Sequence, residues 1–343
     1  MKVLIFADSF SLPIDEGRKK VTYYFIKAFS RNDDVLTFCN RGEEIPNYVK
    51  KINTNRMLIS LRLKKEISTF KPDLIIYIPP SSASIYSFIR AKILKKYAKN
   101  AKVVMIAHTP INYKKHHLLM IRMFRSFFPL NTILTPSPQL YDKLKKYQFN
   151  VKLFTYGVDI EKFKPVNLKT KLELRNRYGL KEDTFVVLHV GHITKSRNID
   201  VFNEIQKIEG VQCLIVCSES VTKDKELFKK LKESGVILIP NYIDPIEEIY
   251  QLSDCYVFQG GAISMPLSVL EAMSCNIPVV TTRFEILPTL FNEGYGLFYC
   301  TSKNEVINKV MQIKSLCNIG TRALVEQYSW ENLVERIKNI VKN

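Results

Sequence analysis

The sequence predicts two doubly wound α/β domains in tandem, each a parallel sheet covered by helices on both faces. Short apolar runs alternate with longer amphipathic stretches throughout the chain, which is the signature of that architecture. The alternation occurs twice, and each copy opens on a strand followed by a glycine-bearing loop, Asp8–Gly17 in the first and Gly191–Asn198 in the second. The length of 343 residues fits two domains at ~100–200 residues each. With 46% hydrophobic and 24% charged residues, a disordered chain and a fibre are excluded, and 12 Gly and 15 Pro are too few for low complexity.

In the first half, Val3–Ala7, Leu74–Ile78, Val103–Ala107 and Thr132–Thr135 read as buried strands, with helical periods at Val21–Ser30, Ser87–Tyr97 and Asp142–Tyr147. In the second half the strands are Phe185–Val190, Cys213–Cys217, Val236–Ile239, Cys255–Phe258 and Pro278–Thr281. Helical periods there fall at Lys223–Lys232 and Pro245–Gln251, and the halves join near Phe163–Leu172. Ligands of such sheets bind at the strand-end loops, so two facing domains would form a cleft between two sets of loops.

The charge is divided unevenly. Residues 1–165 hold 30 Lys+Arg against 12 Asp+Glu, whereas residues 166–343 hold 21 of each. The first half therefore carries the whole excess of +18, which fits either a polyanionic partner or simply a well-solvated surface. The seven cysteines form no CxxC pair and no zinc spacing, and their number is odd, which points to a reducing, cytosolic compartment. No apolar run approaches the ~18 residues of a membrane span. The opening Met-Lys-Val-Leu-Ile-Phe-Ala is too short for a signal peptide and reads as a first buried strand. Asp33-Asp34 reads as a turn after a helix rather than a metal site.

The strongest local signal is Pro266-Leu267-Ser268-Val269-Leu270-Glu271-Ala272-Met273-Ser274-Cys275-Asn276-Ile277-Pro278-Val279-Val280. Gly260 and Gly261 lead into a helix near Pro266, Glu271 lies about one turn inside it, and Asn276 and Pro278 end it. A helix start offers free N–H groups and a positive dipole end to a phosphate. A carboxylate one turn in can hold a ribose diol, although spacing alone is equally that of a surface glutamate. His189 and His192 make too small a set for a metal site, since one lies inside an apolar strand.

This stretch resembles the donor-site signature of the GT-B retaining glycosyltransferases of family 4, the glycosyltransferase group 1 domain. Further segments match in order: Asp15-Glu16-Gly17, Tyr156-Gly157-Val158-Asp159 with Phe163 and Pro165, Val190 through Asp200, and Tyr328-Ser329-Trp330-Glu331. The resemblance implies a first domain over 1–165, a nucleotide-sugar domain over 166–327, and a closing helix over 328–343 that returns to the first domain. It also implies transfer of a sugar from a nucleotide-diphosphate-sugar with anomeric retention, by front-face dissociative departure and without a metal or other cofactor.

By the same resemblance, Glu271 holds the ribose, while His192 and Arg197 stand where the family has Arg and Lys on the diphosphate. Arg197 can fork onto two phosphate oxygens, and His192 is cationic only if a phosphate raises its pKa. The implied donor-binding set is completed by Gly17, Gly191, Tyr242, Ile243, Met265, Pro266, Leu267, Ser268 and Ile263. Ile263 replaces a glutamate that in the family contacts the transferred hexose, and Ile cannot hydrogen-bond a sugar hydroxyl. His108, at the end of Val103–Ala107, is expected beside the reacting sugar, and Arg18 and Lys19 beside Gly17 suit an anionic acceptor.

Residues 113–130, YKKHHLLMIRMFRSFFPL, set Lys114, Lys115, Arg122 and Arg125 on one arc of a helix whose other face is apolar and aromatic. Such a helix fits either an anionic membrane surface or its own sheet; Arg90, Lys92, Lys95, Lys96 and Lys99 add cations nearby. The leading expectation is a transferase at the inner face of the cytoplasmic membrane, acting on a glycolipid or oligosaccharide acceptor. A non-hydrolysing nucleotide-sugar epimerase and a non-catalytic basic relative are the alternatives. No nucleic-acid partner is expected, because neither a helix-turn-helix nor an aromatic-lined basic groove is evident.

Overall fold

The computed structural model describes residues 1–80, 84–108, 120, 131–217, 224–260, 265–284, 286–316 and 319–342. The chain divides into two compact units, Met1–Tyr156 with Trp330–Asn343, and Gly157–Ser329.

The first unit is built on seven parallel strands: β1 Lys2–Phe10, β2 Asp34–Gly42, β3 Lys50–Lys51, β4 Leu74–Ile78, β5 Lys102–Ile106, β6 Thr132–Thr135 and β7 Val151–Leu153. Their order is β3-β2-β1-β4-β5-β6-β7, so the direction of winding reverses between β1 and β4. Val3 to Ala7 and Leu74 to Ile78 pair residue for residue and are buried at every position, which is why their sequences are continuously apolar rather than alternating.

Around this sheet lie α1 Gly17–Phe29, α2 Leu61–Phe70, α3 Ile85–Tyr97 and α4 Pro138–Lys146. Ser60, Ser84 and Ser137 cap α2, α3 and α4 by accepting a backbone N–H three residues on. Leu4 and Phe6 share one core with Leu63 and Ile67 of α2, Phe88 and Leu94 of α3, and Leu140 and Leu144 of α4.

The final helix, α13 (Trp330–Lys342), belongs to this unit although it follows the second in sequence. Trp330 stacks on Tyr24 of α1 at 5.3 Å and meets Phe25 edge-on at 5.4 Å. Asp33 ties both ends of the chain together: it takes the N-terminal ammonium at 3.0 Å and Lys338 of α13 at 2.7 Å.

The second unit holds six parallel strands in the order β10-β9-β8-β11-β12-β13. They are β8 Phe185–Gly191, β9 Val211–Cys217, β10 Ile237–Ile239, β11 Cys255–Phe258, β12 Val279–Thr282 and β13 Leu297–Cys300. Its helices among the described residues are α5 Leu168–Arg177, α6 Phe202–Ile205, α7 Lys225–Glu233, α8 Glu247–Gln251, α9 Leu267–Ser274, α10 Leu287–Leu290, α11 Lys303–Ser315 and α12 Arg322–Val325. The winding reverses between β8 and β11.

The border between units falls at Tyr156/Gly157 and Ser329/Trp330, not at 165 and 327. Residues 157–165 are held by the second unit: Val158 bridges Ser329, and the Phe163 carbonyl accepts from Ser274 Oγ at 2.5 Å. Among the described residues no helix is long and apolar enough to cross a membrane. The six described cysteines are buried and unbridged, and burial pushes the thiols of Cys39 and Cys300 up to about 11.

Candidate functional site

In an open α/β sheet, ligands collect outside the carboxyl ends of the strands where the winding reverses. In the second unit those are the ends of β8 and β11, which are followed by residues 192–198 and by Gln259 and Gly260. Gly191 closes β8, and a Cβ there would stand 3.0 Å from His189 Nε2, a tight contact that would require the imidazole to shift. His189 is fully buried and sets its Nδ1 3.0 Å from the Val257 carbonyl, which holds the proton on Nδ1. Its ring stacks on Phe258 at 5.5 Å. It is a core residue, and among the described residues no group of three or more His, Cys, Asp or Glu is placed to hold a metal ion.

Arg197 ends the short turn Lys195–Arg197 and lays its guanidinium 5.0 Å from the centre of the Phe258 ring. Burial pushes its pKa below the usual arginine value, and the Tyr256 phenol opposes that shift. Its Nη1 is buried without a hydrogen-bond partner. His192 is half-buried in the same loop. A partly buried guanidinium without a carboxylate is costly unless an anion arrives to take its protons.

The helix α9 opens on Pro266, whose extended backbone and missing N–H suit a helix entrance. Met265, Pro266 and Leu267 are buried, and Ser268 is half-buried. No side chain caps this helix, and among its first N–H groups that of Val269 donates to the Pro266 carbonyl at 3.2 Å. Glu271 is 4% exposed, which disposes of the reading as a surface glutamate. It faces inward and accepts from Tyr250 Oη of α8 at 2.8 Å. Tyr256 of β11 links the parts: its hydroxyl donates to the Val190 carbonyl at 3.3 Å, and its phenol senses Ser268, Glu271 and Arg197. One ring thus touches the end of β8, the start of α9 and the field of Arg197.

The helix ends as its sequence requires. Asn276 takes the left-handed conformation at φ 62°, and its Oδ1 accepts from the Arg322 N–H at 3.1 Å. Tyr242 and Ile243, on the loop between β10 and α8, are half-buried, and the Tyr242 phenol is raised first by burial and then by Asp244, with a smaller contribution from Glu271. The structure therefore brings Gly191, His192, Arg197, Met265 to Ser268, Glu271 and Tyr242 to one end of one sheet. Ile263 lies outside the described residues.

In the first unit the reversal lies between β1 and β4. His108 stands two residues past β5, is 6% exposed, and shares a short hydrogen bond between Nδ1 and Tyr156 Oη. Burial, with a smaller push from Arg18, lowers its pKa to about 3, so it is neutral at physiological pH. A Cβ on Gly17 would meet nothing within 4 Å, so the space at that position is open. Two expectations for this unit are corrected. Lys19 is bound into its own loop, giving protons to Asp15 at 3.0 Å and to the Pro13 carbonyl at 3.0 Å, and is not offered to an acceptor. Arg90 is no surface cation: it is buried and paired with Asp8. Arg18 is exposed and donates to the Pro80 carbonyl. Lys114, Lys115, Arg122 and Arg125 lie outside the described residues.

The two neutral histidines set an acid limit. Burial lowers His189 to about 3, as it does His108, against ~6.5 in the unfolded chain. The folded state binds fewer protons between those values, so their contribution is complete above about pH 6.5 and is lost as pH falls toward 3. Each histidine adds at most ~1.4 kcal/mol of lost stability per pH unit. The melting temperature is expected to drop steeply below about pH 6, and His108→Gln to make that drop shallower; equal slopes would count against this account.

The sulfoquinovosyl transferase SQD2 of Arabidopsis thaliana is 24% identical over 315 residues, 85% of this chain and 60% of that protein. An uncharacterised glycosyltransferase of Methanocaldococcus jannaschii is 26% identical over 239 residues, 64% of this chain and 58% of that protein. The chain thus spans less than two thirds of the length of either. Among solved structures, Anabaena HepE in complex with UDP superposes with a TM-score of 0.79 at 16% identity, covering 100% of both chains. HepE in complex with UDP-glucose gives 0.76 at 17% identity, covering 100% of this chain and 99% of that one. These likenesses carry the fold, two Rossmann-like domains of the GT-B type, over the whole length. The model of the glycosyl transferases group 1 matches residues 170–343, more than half of the sequence and all of the α9 signature. By that match, this chain is a member of the glycosyl transferases group 1 family.

Proposed function

We propose that the chain transfers a hexosyl group, with retention, from a nucleotide-diphosphate-sugar to an acceptor hydroxyl, as an enzyme of glycosyltransferase family 4. The observation that carries this reading is the buried, partnerless Nη1 of Arg197, on the loop that leaves the reversal point beside α9. A diphosphate supplies the oxygens this donor lacks. HepE, the structural relative, is solved with UDP and with UDP-glucose, which supports a nucleotide-sugar donor here.

In this reading Arg197, the first N–H groups of α9 and His192 neutralise the charge that builds on the departing phosphate. With those cations in place no metal is needed. A diphosphate beside His192 raises its pKa and makes it a second cation. Glu271 accepts from the ribose diol; a carboxylate has about four lone-pair sites, so the bond from Tyr250 leaves capacity for it. The departing phosphate oxygen takes the proton of the incoming hydroxyl on the same face of the sugar, which retains the anomeric configuration. His108 meets substrate as a neutral imidazole, and Gly17 brings bare backbone to the donor, with open space at its Cα. The acceptor is lipid-linked or a surface-glycan precursor at the inner face of the cell membrane. The excess of cations in the first half supports that choice.

Glu271→Ala is expected to reduce release of nucleoside diphosphate from a labelled nucleotide-sugar about 100-fold, chiefly through KM, as a charged hydrogen-bond partner is lost. Retained KM in a folded variant would remove Glu271 from the site. A thermal-shift screen of UDP-, GDP-, ADP- and TDP-sugars identifies the base, because a tight donor raises Tm by mass action.

A further inference from the structure

Gln259 follows Phe258 at the carboxyl end of β11, directly before Gly260, whose N–H donates to Thr282 Oγ1 at 3.0 Å. Its side chain is 6% exposed, and its Nε2 is buried with no hydrogen-bond partner. A carboxamide nitrogen offers two protons and accepts none. Leaving it unpaired is destabilising, and a well-packed apolar residue of the same size would remove that cost. The guanidinium of Arg197 lies over the ring of the preceding residue, Phe258, and its Nη1 is likewise buried without a partner. An unpartnered donor thus follows each of the neighbouring strands β8 and β11, between which the winding reverses.

We infer that Gln259 is a donor-binding residue whose carboxamide Nε2 donates to an oxygen of the nucleotide-diphosphate-sugar. The inference rests on the nucleotide-sugar reading above and adds a residue that the α9 signature does not contain. The accepting oxygen belongs either to the diphosphate or to the sugar, and both present the same chemistry to an N–H. A side chain kept for a ligand is paired only when the ligand is bound, so the empty protein carries the cost. A residue that served only the core would show the opposite balance.

The test is Gln259→Leu, with Gln259→Glu alongside, in the full chain. Tm without ligand and the Kd values of UDP and UDP-glucose are measured. Gln259→Leu is expected to keep or raise Tm and to weaken UDP-glucose by about 10- to 100-fold. Equal weakening of UDP assigns the contact to the diphosphate; unchanged UDP assigns it to the sugar. Gln259→Glu sets an acceptor where a donor stood and is expected to bind at least as poorly. A Tm that falls by several degrees with unchanged Kd values makes Gln259 a core residue and overturns the inference, as does Gln259→Leu that binds like the wild type. Wild-type protein that binds neither probe moves the test to the GDP, ADP and TDP pairs, and one that binds none of the four removes the nucleotide-sugar reading itself, and the inference with it.

Discussion

Arg197→Met is expected to lower turnover about 10²- to 10³-fold while leaving the protein folded, because it removes one fixed donor to a developing negative charge. Among the described residues the side chain pairs with no carboxylate, and it rests on the Phe258 ring, so methionine can keep the apolar contact and lose only the charge. Tm is expected to stay level or rise, since burial already works against the guanidinium. Arg197→Lys should recover part of the rate but not all of it, because an ammonium is a point charge and cannot fork across two phosphate oxygens. Steady-state release of nucleoside diphosphate, measured with Tm on the same preparations, checks this. An Arg197→Met variant that turns over at the wild-type rate would place the diphosphate elsewhere.

Trp330→Ala is expected to destabilise the first unit by about 3–5 kcal/mol, the cost of emptying a large buried aromatic site. The indole is 2% exposed and is held between Tyr24 and Phe25 of α1. Its loss frees the start of α13, which keeps its buried face of Leu333, Val334, Ile337 and Val341, the pair Lys338–Asp33 and the exposed pair Arg31–Glu331. A urea titration followed by the fluorescence of the tyrosines in this unit reads the change. A loss of less than about 1 kcal/mol would mean that α13 adds little to the fold.

Much of the fold was legible because parallel strands buried on both faces read as unbroken apolar runs. Leu74–Ile78, Thr132–Thr135 and Cys255–Phe258 run as their sequences indicate. Asp34–Gly42 escaped because it mixes polar and apolar residues beside the edge of its sheet, with a burial pattern that fades toward its end. Val151–Leu153 is an edge strand whose last two residues are exposed. Leu168–Arg177 buries only Leu174 and Arg175, so its periodicity is weak, and Leu61–Phe70 buries only Leu63 and Ile67.

The site divides in the same way. Pro266, Glu271 and Asn276 announced a helix entrance, a carboxylate one turn in and a left-handed stop, all properties of neighbours along the chain. Lys19 and Arg90 were misjudged because a cation's sequence context says nothing of the carboxylate that meets it: Asp15 is four residues from Lys19, but Asp8 is 82 residues from Arg90. Gln259 and Tyr250 carry no signal in sequence, since one is a polar residue at a strand end and the other an aromatic on a short helix.

What the sequence by itself determined is the two-fold repetition of strand and helix, the α9 entrance with Glu271, and the basic first half, because each depends on residue type and spacing. Only the tertiary structure decided which polar groups are satisfied. Arg90 is closed off by Asp8, Glu271 is turned inward onto Tyr250, and Arg197 and Gln259 keep donors that nothing among the described residues accepts. Partnership is a property of distance in space, and hydrogen bonds decay over an ångström, whereas sequence spacing reports only the neighbours that one helix or one strand can bring together.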